Sequence, residues 1–522
     1  MKRLLVAAAV LTAACSSVPA PPAGTDADTV AWWGATGDLS SDAMEGRDTG
    51  SAGYDRAADY VEQRFRAAEL KPAGENGGYR QTLLLKEVRV EKEGTRFMVL
   101  TGRSDPKVGD DLLFVRTLAD LDFLHDITVR PSVSLPASLN AELAFRGYCS
   151  PAEIGDVKGK VVVCFGARRA GMTTGAQRLE AAAKAGAVGI INVDDPGFTI
   201  EPSRWPEAYA RSVTLRDAPP PAYPELVVMR LSAGALGAVI GGSGQDADAL
   251  LKAGAASQPL PSFDVPARIN ATFAISQREL QSDNVLAMLP GTDPVLKDEI
   301  VLVSAHLDGY GYGEPVNGDG LYNGAFDDAA YVASLIRLAE RQAGAGFKRS
   351  VLFAVYTGEE KGLLGSNYYA SHLTVPKETI AAVINLDQLR PLFPLKALTM
   401  HGIADTTLTG NVRRVAGAMG IEVRPDLEPE RNLNQRTDHF PFLRMGVPAT
   451  NFVFAFDPGS QSEVKYREWY QSRYHRPQDD MGQPLDWDAA RDMNLFFYRL
   501  AEDVANDPVR PAFVAGSTWA PK

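Results

Sequence analysis

Short runs of almost unbroken apolar residues restrict the second half of this chain more than any other feature. They cover 285–289, 300–305, 350–356, 381–386 and 448–454. Val, Ile, Leu, Phe and Ala predominate in them without regular polar alternation, so neither face of such a strand suits water. Helical stretches lie between several of these runs, and over 328–343 Val332, Leu335, Ile336 and Ala339 fall on one face. Apolar strands alternating with helices predict an α/β fold with a doubly wound, mostly parallel sheet buried on both sides. Ligands of such sheets bind beyond the carboxyl ends of the strands.

With 522 residues the chain exceeds what one hydrophobic core usually organises, so more than one domain is expected. An amphipathic helix is predicted over 57–68, with Ala57, Tyr60, Val61, Phe65 and Ala68 on one face. From 112 to 268 the texture changes to short strands: Lys160–Phe165, a helix over 176–185, then a second strand over 186–193. The expected division is 31–111 as the first part of the main domain, 112–268 as an insertion, 269–510 as the body of the main domain and 511–522 as a tail. The order Gly-Lys-Val-Val-Val, Ala-rich helix, Ala-Gly-Ala-Val-Gly-Ile-Ile resembles a protease-associated domain. The insertion carries no cluster of His with acidic residues, so a structural or substrate-gating part is expected of it.

The N-terminus has the make-up of an export signal over 1–14: Met1-Lys2-Arg3, then an apolar run from Leu4 to Ala14 that is too short to span a membrane. Leu11-Thr12-Ala13-Ala14-Cys15 resembles a bacterial lipoprotein cleavage site, with Cys15 as the lipidated residue and 15–30 as a tether rich in Ser, Pro, Ala and Gly. That resemblance implies a lipid anchor in the cell envelope, at the outer membrane since Ser16 follows, or else plain secretion. A formal charge of −12 argues against nucleic acid as a partner. After Cys15 only Cys149 and Cys164 remain, too few for a thiolate metal site; they form one disulfide or two buried thiols.

The strand-end rule sorts the polar residues. His306, Glu359, Glu360 and Asp387 each fall one to four residues past the end of an apolar run. Singly, each has an ordinary reading: a satisfied core histidine, a solvated acidic pair, a turn cap. Asp308, two residues after His306, is placed to orient its imidazole. Asp328 can cap the helix that follows it, whereas Asp327 has no such ordinary reading. His125, His372 and His401 stand in no comparable acidic context.

Together the blocks Ser304–Asp308, Asn323–Asp328, Tyr356–Ser366, Asn385–Asp387 and Tyr474–Asp479 resemble the co-catalytic zinc exopeptidases that include bacterial leucyl aminopeptidases and glutamate carboxypeptidases. The resemblance spans residues 40–85 and 283–485. It implies two Zn²⁺ per chain, with His306 and Asp387 on the first, Glu360 and His475 on the second, and Asp327 bridging both. It also implies a cis Asp327–Asp328 bond, Glu359 as general base and Tyr474 as oxyanion stabiliser. His439 competes with His475 for the last ligand position. The family's ligand sits in the Tyr-His-X-Pro block, which leaves His439 with Asp438, and Arg436 beside them, as substrate-side or supporting groups. A bridging carboxylate holds two metals roughly 3.5 to 4 Å apart.

The function implied is an aminopeptidase acting on peptides. The alternatives are a carboxypeptidase of the same family, an inactive receptor-like relative, and a glutaminyl cyclase, which shares a segment like Asp438–Arg444 but uses one zinc and lacks the insertion. No expectation arises for oligomeric state.

Overall fold

The computed structural model describes residues 21–101, 116–169, 171–201 and 210–521. The export signal, Cys15 and the start of the insertion at 112–115 lie outside the described residues.

Ile300–His306 forms the centre of the sheet in the second half of the chain, parallel to Ser350–Tyr356 on one side and to Ile380–Asn385 on the other. Ala449–Thr450 extends the parallel block beyond Ile380–Asn385. Alternation along the central strand explains its unbroken apolar sequence. Val301 and Val303 join a core under the helices Ala27–Leu39, Ala52–Ala67, Ala330–Arg341 and Trp487–Asn506, while Leu302 packs into the opposite core with Tyr369 and Phe442. Both faces are dry, as the pattern predicts.

The last predicted strand divides in two. Ala449–Thr450 stays in the main sheet, and Phe452–Phe454 pairs antiparallel with Ala397–Met400 in a separate three-stranded sheet. The break falls at polar Asn451, whose carbonyl accepts from the His401 N–H at 3.0 Å.

The insertion contains its own parallel block, Ser138–Arg146, Val161–Phe165, Gly189–Val193 and Val227–Leu231, with the helix Gly175–Lys184 packed beside it. Thr174 and Gln177 form a reciprocal capping box at that helix's start. Cys149 and Cys164 are joined in a disulfide. The expected boundary at 268/269 falls inside one strand: Ser262–Leu289 runs 28 residues and pairs antiparallel with Arg80–Thr101 from Arg268↔Leu100 to Val285↔Arg80. One 14-stranded sheet therefore passes through both halves. Among the described residues no helix is long and apolar enough to cross a membrane.

Candidate metal centre and active site

The carboxyl rim of the parallel block gathers the predicted residues. His306 ends its strand, and its backbone N–H donates to Asp328 Oδ2 at 3.0 Å. Asp328 is thus fully buried under the strand end rather than capping the next helix, which starts at Ala330 without a side-chain cap. A π-turn over Ala325–Ala329 takes the capping place, and the Asp327–Asp328 bond within it is cis. Gly324 opens this turn at φ 59°, where a β-carbon would meet the Asp327 carbonyl at 2.3 Å.

Asp308 meets the His306 imidazole through its backbone carbonyl rather than its carboxylate. His306 Nδ1 lies 3.0 Å from the Asp308 backbone carbonyl and 3.7 Å from its carboxylate. The carboxylate instead accepts the backbone N–H groups of Glu359 at 3.0 Å and Glu360 at 3.3 Å. It therefore fixes the turn that presents both glutamates, a turn made possible by Gly358 at φ 68°.

Two donor sets converge here and share one carboxylate. His306, Asp327, Asp328 and Asp387 form one; Asp327, Glu360 and His475 form the other, each with its donor atoms within 4.8 Å of one another. Asp327 Oδ1 is 3.3 Å from His306 Nε2, and Asp327 Oδ2 is 3.2 Å from His475 Nε2. His475 Nε2 is also 3.3 Å from Glu360 Oε1. Glu359 belongs to neither set, and its Oε2 stands 3.9 Å from His306 Nε2.

The electrostatics call for cations. Burial pushes the Glu359 and Glu360 carboxyls well above the usual range, and neighbouring carboxylates add to the effect. Burial likewise pushes Asp328 well up, and Asp438 up to about 7. Burial opposes a charge on Asp327 too, but His306, His475 and Arg390 outweigh it and hold its pKa well below normal. His306 Nε2, Asp328 Oδ1 and Glu360 Oε1 are buried with no hydrogen-bond partner. Orphaned donors of N/O type amid excess carboxylate fit divalent cations.

Several residues that support the site carried no sequence expectation. The Tyr310 hydroxyl donates to Glu360 Oε2 at 2.7 Å and lies 3.0 Å from His475 Nδ1, so it ties two donors of one set together. Asp479 accepts the N–H groups of Phe326 and Asp327 at 2.9 and 3.0 Å. Arg390 Nη2 reaches Asp327 Oδ2 at 3.3 Å. Each lies within four residues of a predicted ligand, and that proximity is the signal that could have found them. Arg47 had none: from the N-terminal segment it donates to the carbonyls of Leu307, Asn323 and Gly324 and so clamps the His306 and Asp327 loops.

His439 and Asp438 do not act as a pair. His439 lies between Thr437 Oγ1 at 2.7 Å and Asn434 Oδ1 at 3.0 Å, stacked at 6.0 Å on His401, and burial pushes its pKa well below normal. It belongs to neither donor set, whereas His475 belongs to one. For Asp438, His306 offsets part of the effect of burial. His125 and His401 do have acidic neighbours in space, Glu314 and Asp426, each at 3.7 Å.

An open cleft of about 330 Å³ exposes the site, with Glu359, Asp387, Gln388, Arg436, Tyr474 and His475 in its wall. Burial keeps the Tyr474 phenol protonated, and its ring stacks on His475 at 3.7 Å. Arg436 lies 3.4 Å from the Tyr474 hydroxyl, but its other branch is held at 2.9 Å by Glu201 of the inserted lobe. Glu201 also meets Arg431 at 3.1 Å and Arg168 at 3.3 Å.

A doubly wound sheet with two His/carboxylate donor sets sharing one aspartate at its carboxyl rim has the make-up of a two-cation site. Residues 284–501 match the model of Peptidase family M28, and residues 131–215 match that of the PA domain. These two stretches are thus similar to a family M28 peptidase domain and to a PA domain. A probable leucine aminopeptidase 2 of Aspergillus oryzae is 28% identical over 215 residues, 38% of this chain and 40% of that protein. Aminopeptidase Y of Saccharomyces cerevisiae is 26% identical over 219 residues, 40% of this chain and 36% of that protein. The alignments therefore span less than half the length of these relatives. In fold, the chain is similar to an aminopeptidase from Aneurinibacillus sp. strain AM-1 (TM-score 0.59, 18% identity, 93% of this chain and 97% of that one). It is also similar to BSAP, a zinc aminopeptidase from Bacillus subtilis (TM-score 0.53, 16% identity, 92% and 95%).

Proposed function

We propose that the protein is an aminopeptidase that removes N-terminal residues from peptides with two Zn²⁺ per chain, His306 and Asp387 serving one, Glu360 and His475 the other, and Asp327 both. The observation that carries this reading is the sharing of Asp327 by two donor sets beside a Glu359 that belongs to neither. When bound, the cations supply Lewis acidity and bring the pKa of a water toward neutrality. Glu359 then has a base's position: it takes the proton of the attacking water and returns it to the leaving amine. The Tyr474 hydroxyl donates to the oxyanion that develops at the scissile carbonyl. Asp308 holds the Glu359–Glu360 turn, and Asp479 with Arg390 holds Asp327.

The names of the relatives, leucine aminopeptidase and aminopeptidase Y among them, support the amino-terminal polarity. The deciding experiment is turnover of one peptide set with free, amino-blocked and carboxyl-blocked ends. An aminopeptidase cleaves the carboxyl-blocked peptide and spares the amino-blocked one; the reverse result makes it a carboxypeptidase. The proposal extends to an exported protein anchored through lipid on Cys15, and the Cys149–Cys164 disulfide supports an oxidising compartment. A Cys15→Ser protein should leave the membrane fraction, and one that stayed there would refute the anchor.

A further inference from the structure

The inserted lobe holds a second concavity, of about 610 Å³, and Arg436 lines both it and the catalytic cleft. Its wall is rich in arginine, so the placing of counter-charges is informative. Arg230 faces Asp194 at 2.6 Å, and Arg168 and Arg436 share Glu201. Asp195, also in the wall, is taken by Arg169 at 2.7 Å.

Arg178 and Arg130 differ from these. Arg178 is only 5% exposed, yet its Nε and Nη1 donate to neutral oxygens alone, Asn192 Oδ1 and the carbonyls of Thr173 and Ala167. Its Nη2 makes no hydrogen bond to a described residue, and it lies at the start of the helix Gly175–Lys184, 3.8 Å from where a β-carbon on Gly175 would stand. Arg130 is an exposed side chain at the mouth of the pocket that makes no ion pair with any described residue. Of the other buried arginines, Arg146, Arg211, Arg349, Arg390 and Arg431 each meet a carboxylate, while Arg47 spends its donors on four backbone carbonyls. A guanidinium taken out of water without a counter-charge is costly, which makes the arrangement around Arg178 a place prepared for an anion. At the start of the helix the Gln177 N–H is taken by Thr174, while the N–H groups of Gly175 and Ala176 have no partner within the helix and add to the positive potential.

We propose that this pocket is a subsite for a carboxylate carried by the peptide being cleaved, received by Arg178 Nη2, the Arg130 guanidinium and the first N–H groups of the Gly175–Lys184 helix. The proposal rests on the peptidase reading above: a peptide whose scissile end lies beside Tyr474 and His475 passes Arg436 to enter the pocket. The carboxylate is either the peptide's C-terminus or an acidic side chain, and planar guanidinium groups suit both.

The test compares four tetrapeptides that begin Leu-Ala-Ala on the intact protein: one ending in Ala with a free carboxyl, its amide, and the amides ending in Asp and in Asn. The wild-type protein should show a KM about tenfold or more lower for a carboxylate-bearing peptide than for its neutral partner. An advantage of free acid over amide assigns the C-terminus; an advantage of Asp over Asn assigns a side chain. Arg130→Gln and Arg178→Gln should each lose most of that advantage while still cleaving leucine p-nitroanilide, which is too short to reach the pocket, within about twofold of wild type. Should Arg178→Gln fail to fold, Arg130→Gln carries the test. Equal KM for all four peptides in the wild type, or a full preference kept by the folded variants, overturns the proposal. If the wild type cleaves none of them, the peptidase reading is at fault, and equilibrium binding of the same peptides tests the subsite by the same comparisons.

Discussion

Glu359 and Glu360 are neighbours in sequence, yet the turn after the 350–356 strand gives them different surroundings. Glu360 joins Asp327 and His475 as a donor, whereas Glu359 stays outside both donor sets and faces the cleft. Glu359→Gln keeps size and hydrogen bonding but removes the base, so turnover should fall by roughly 100-fold to 10,000-fold with metal content intact. Glu360→Gln should lose activity together with metal, and excess zinc should restore part of it. Near-normal turnover in folded, fully metallated Glu359→Gln protein would show the assignment to be wrong. Tyr310 gives a second contrast at this scale. Its hydroxyl steadies both Glu360 and His475, so Tyr310→Phe should weaken one of two zinc affinities by about 10- to 100-fold and leave the other unchanged, as a competitive chelator titration would show. Equal weakening of both sites would place the tyrosine elsewhere in the mechanism.

At the scale of elements, the strands of the catalytic half were legible because they are buried on both faces and so carry no competing polar pattern. Their ends located His306, Glu359, Glu360 and Asp387 for the same reason. The Ser262–Leu289 strand was not legible as one element: in the middle of its length it lies exposed, through Gln277, Arg278 and Glu279, and a polar stretch of that kind reads as a boundary. Asp328 misled for a different reason, since a cap and a buried acceptor of the His306 N–H look alike until the turn geometry is known. Supporting contacts such as Arg47 on the Asn323 carbonyl join segments 276 residues apart, and no local pattern announces them.

Contact between the lobes belongs to this scale as well. Burial opposes ionisation of Glu201, but Arg436, Arg431 and Arg168 outweigh it and lower its pKa from 4.5 to about 2. A depressed carboxylate stabilises the folded form fully above about pH 4.5, and the contribution drains away as pH falls toward 2. Glu201→Gln should therefore cost roughly 3 kcal/mol at neutral pH, with the difference from wild type shrinking through that acid window. Thermal unfolding followed at several pH values checks this. A pH-independent difference would mean that the loss is one of packing rather than charge.

For the whole molecule, the 14-stranded sheet that runs through both halves makes the insertion a continuation of the peptidase body rather than an appendage. The lobe thereby reaches the cleft, because Glu201 holds the arginine that stands beside Tyr474. At the centre of the molecule stands the single aspartate shared by two donor sets. The most direct test is elemental analysis of the purified, active protein after loosely held metal has been removed, with activity measured on the same sample. Two zinc ions per chain, with Asp327→Asn losing both metal and turnover, is the predicted result. Full activity with a single ion, or with none, would contradict the bridging role of Asp327 and the two-metal reading with it.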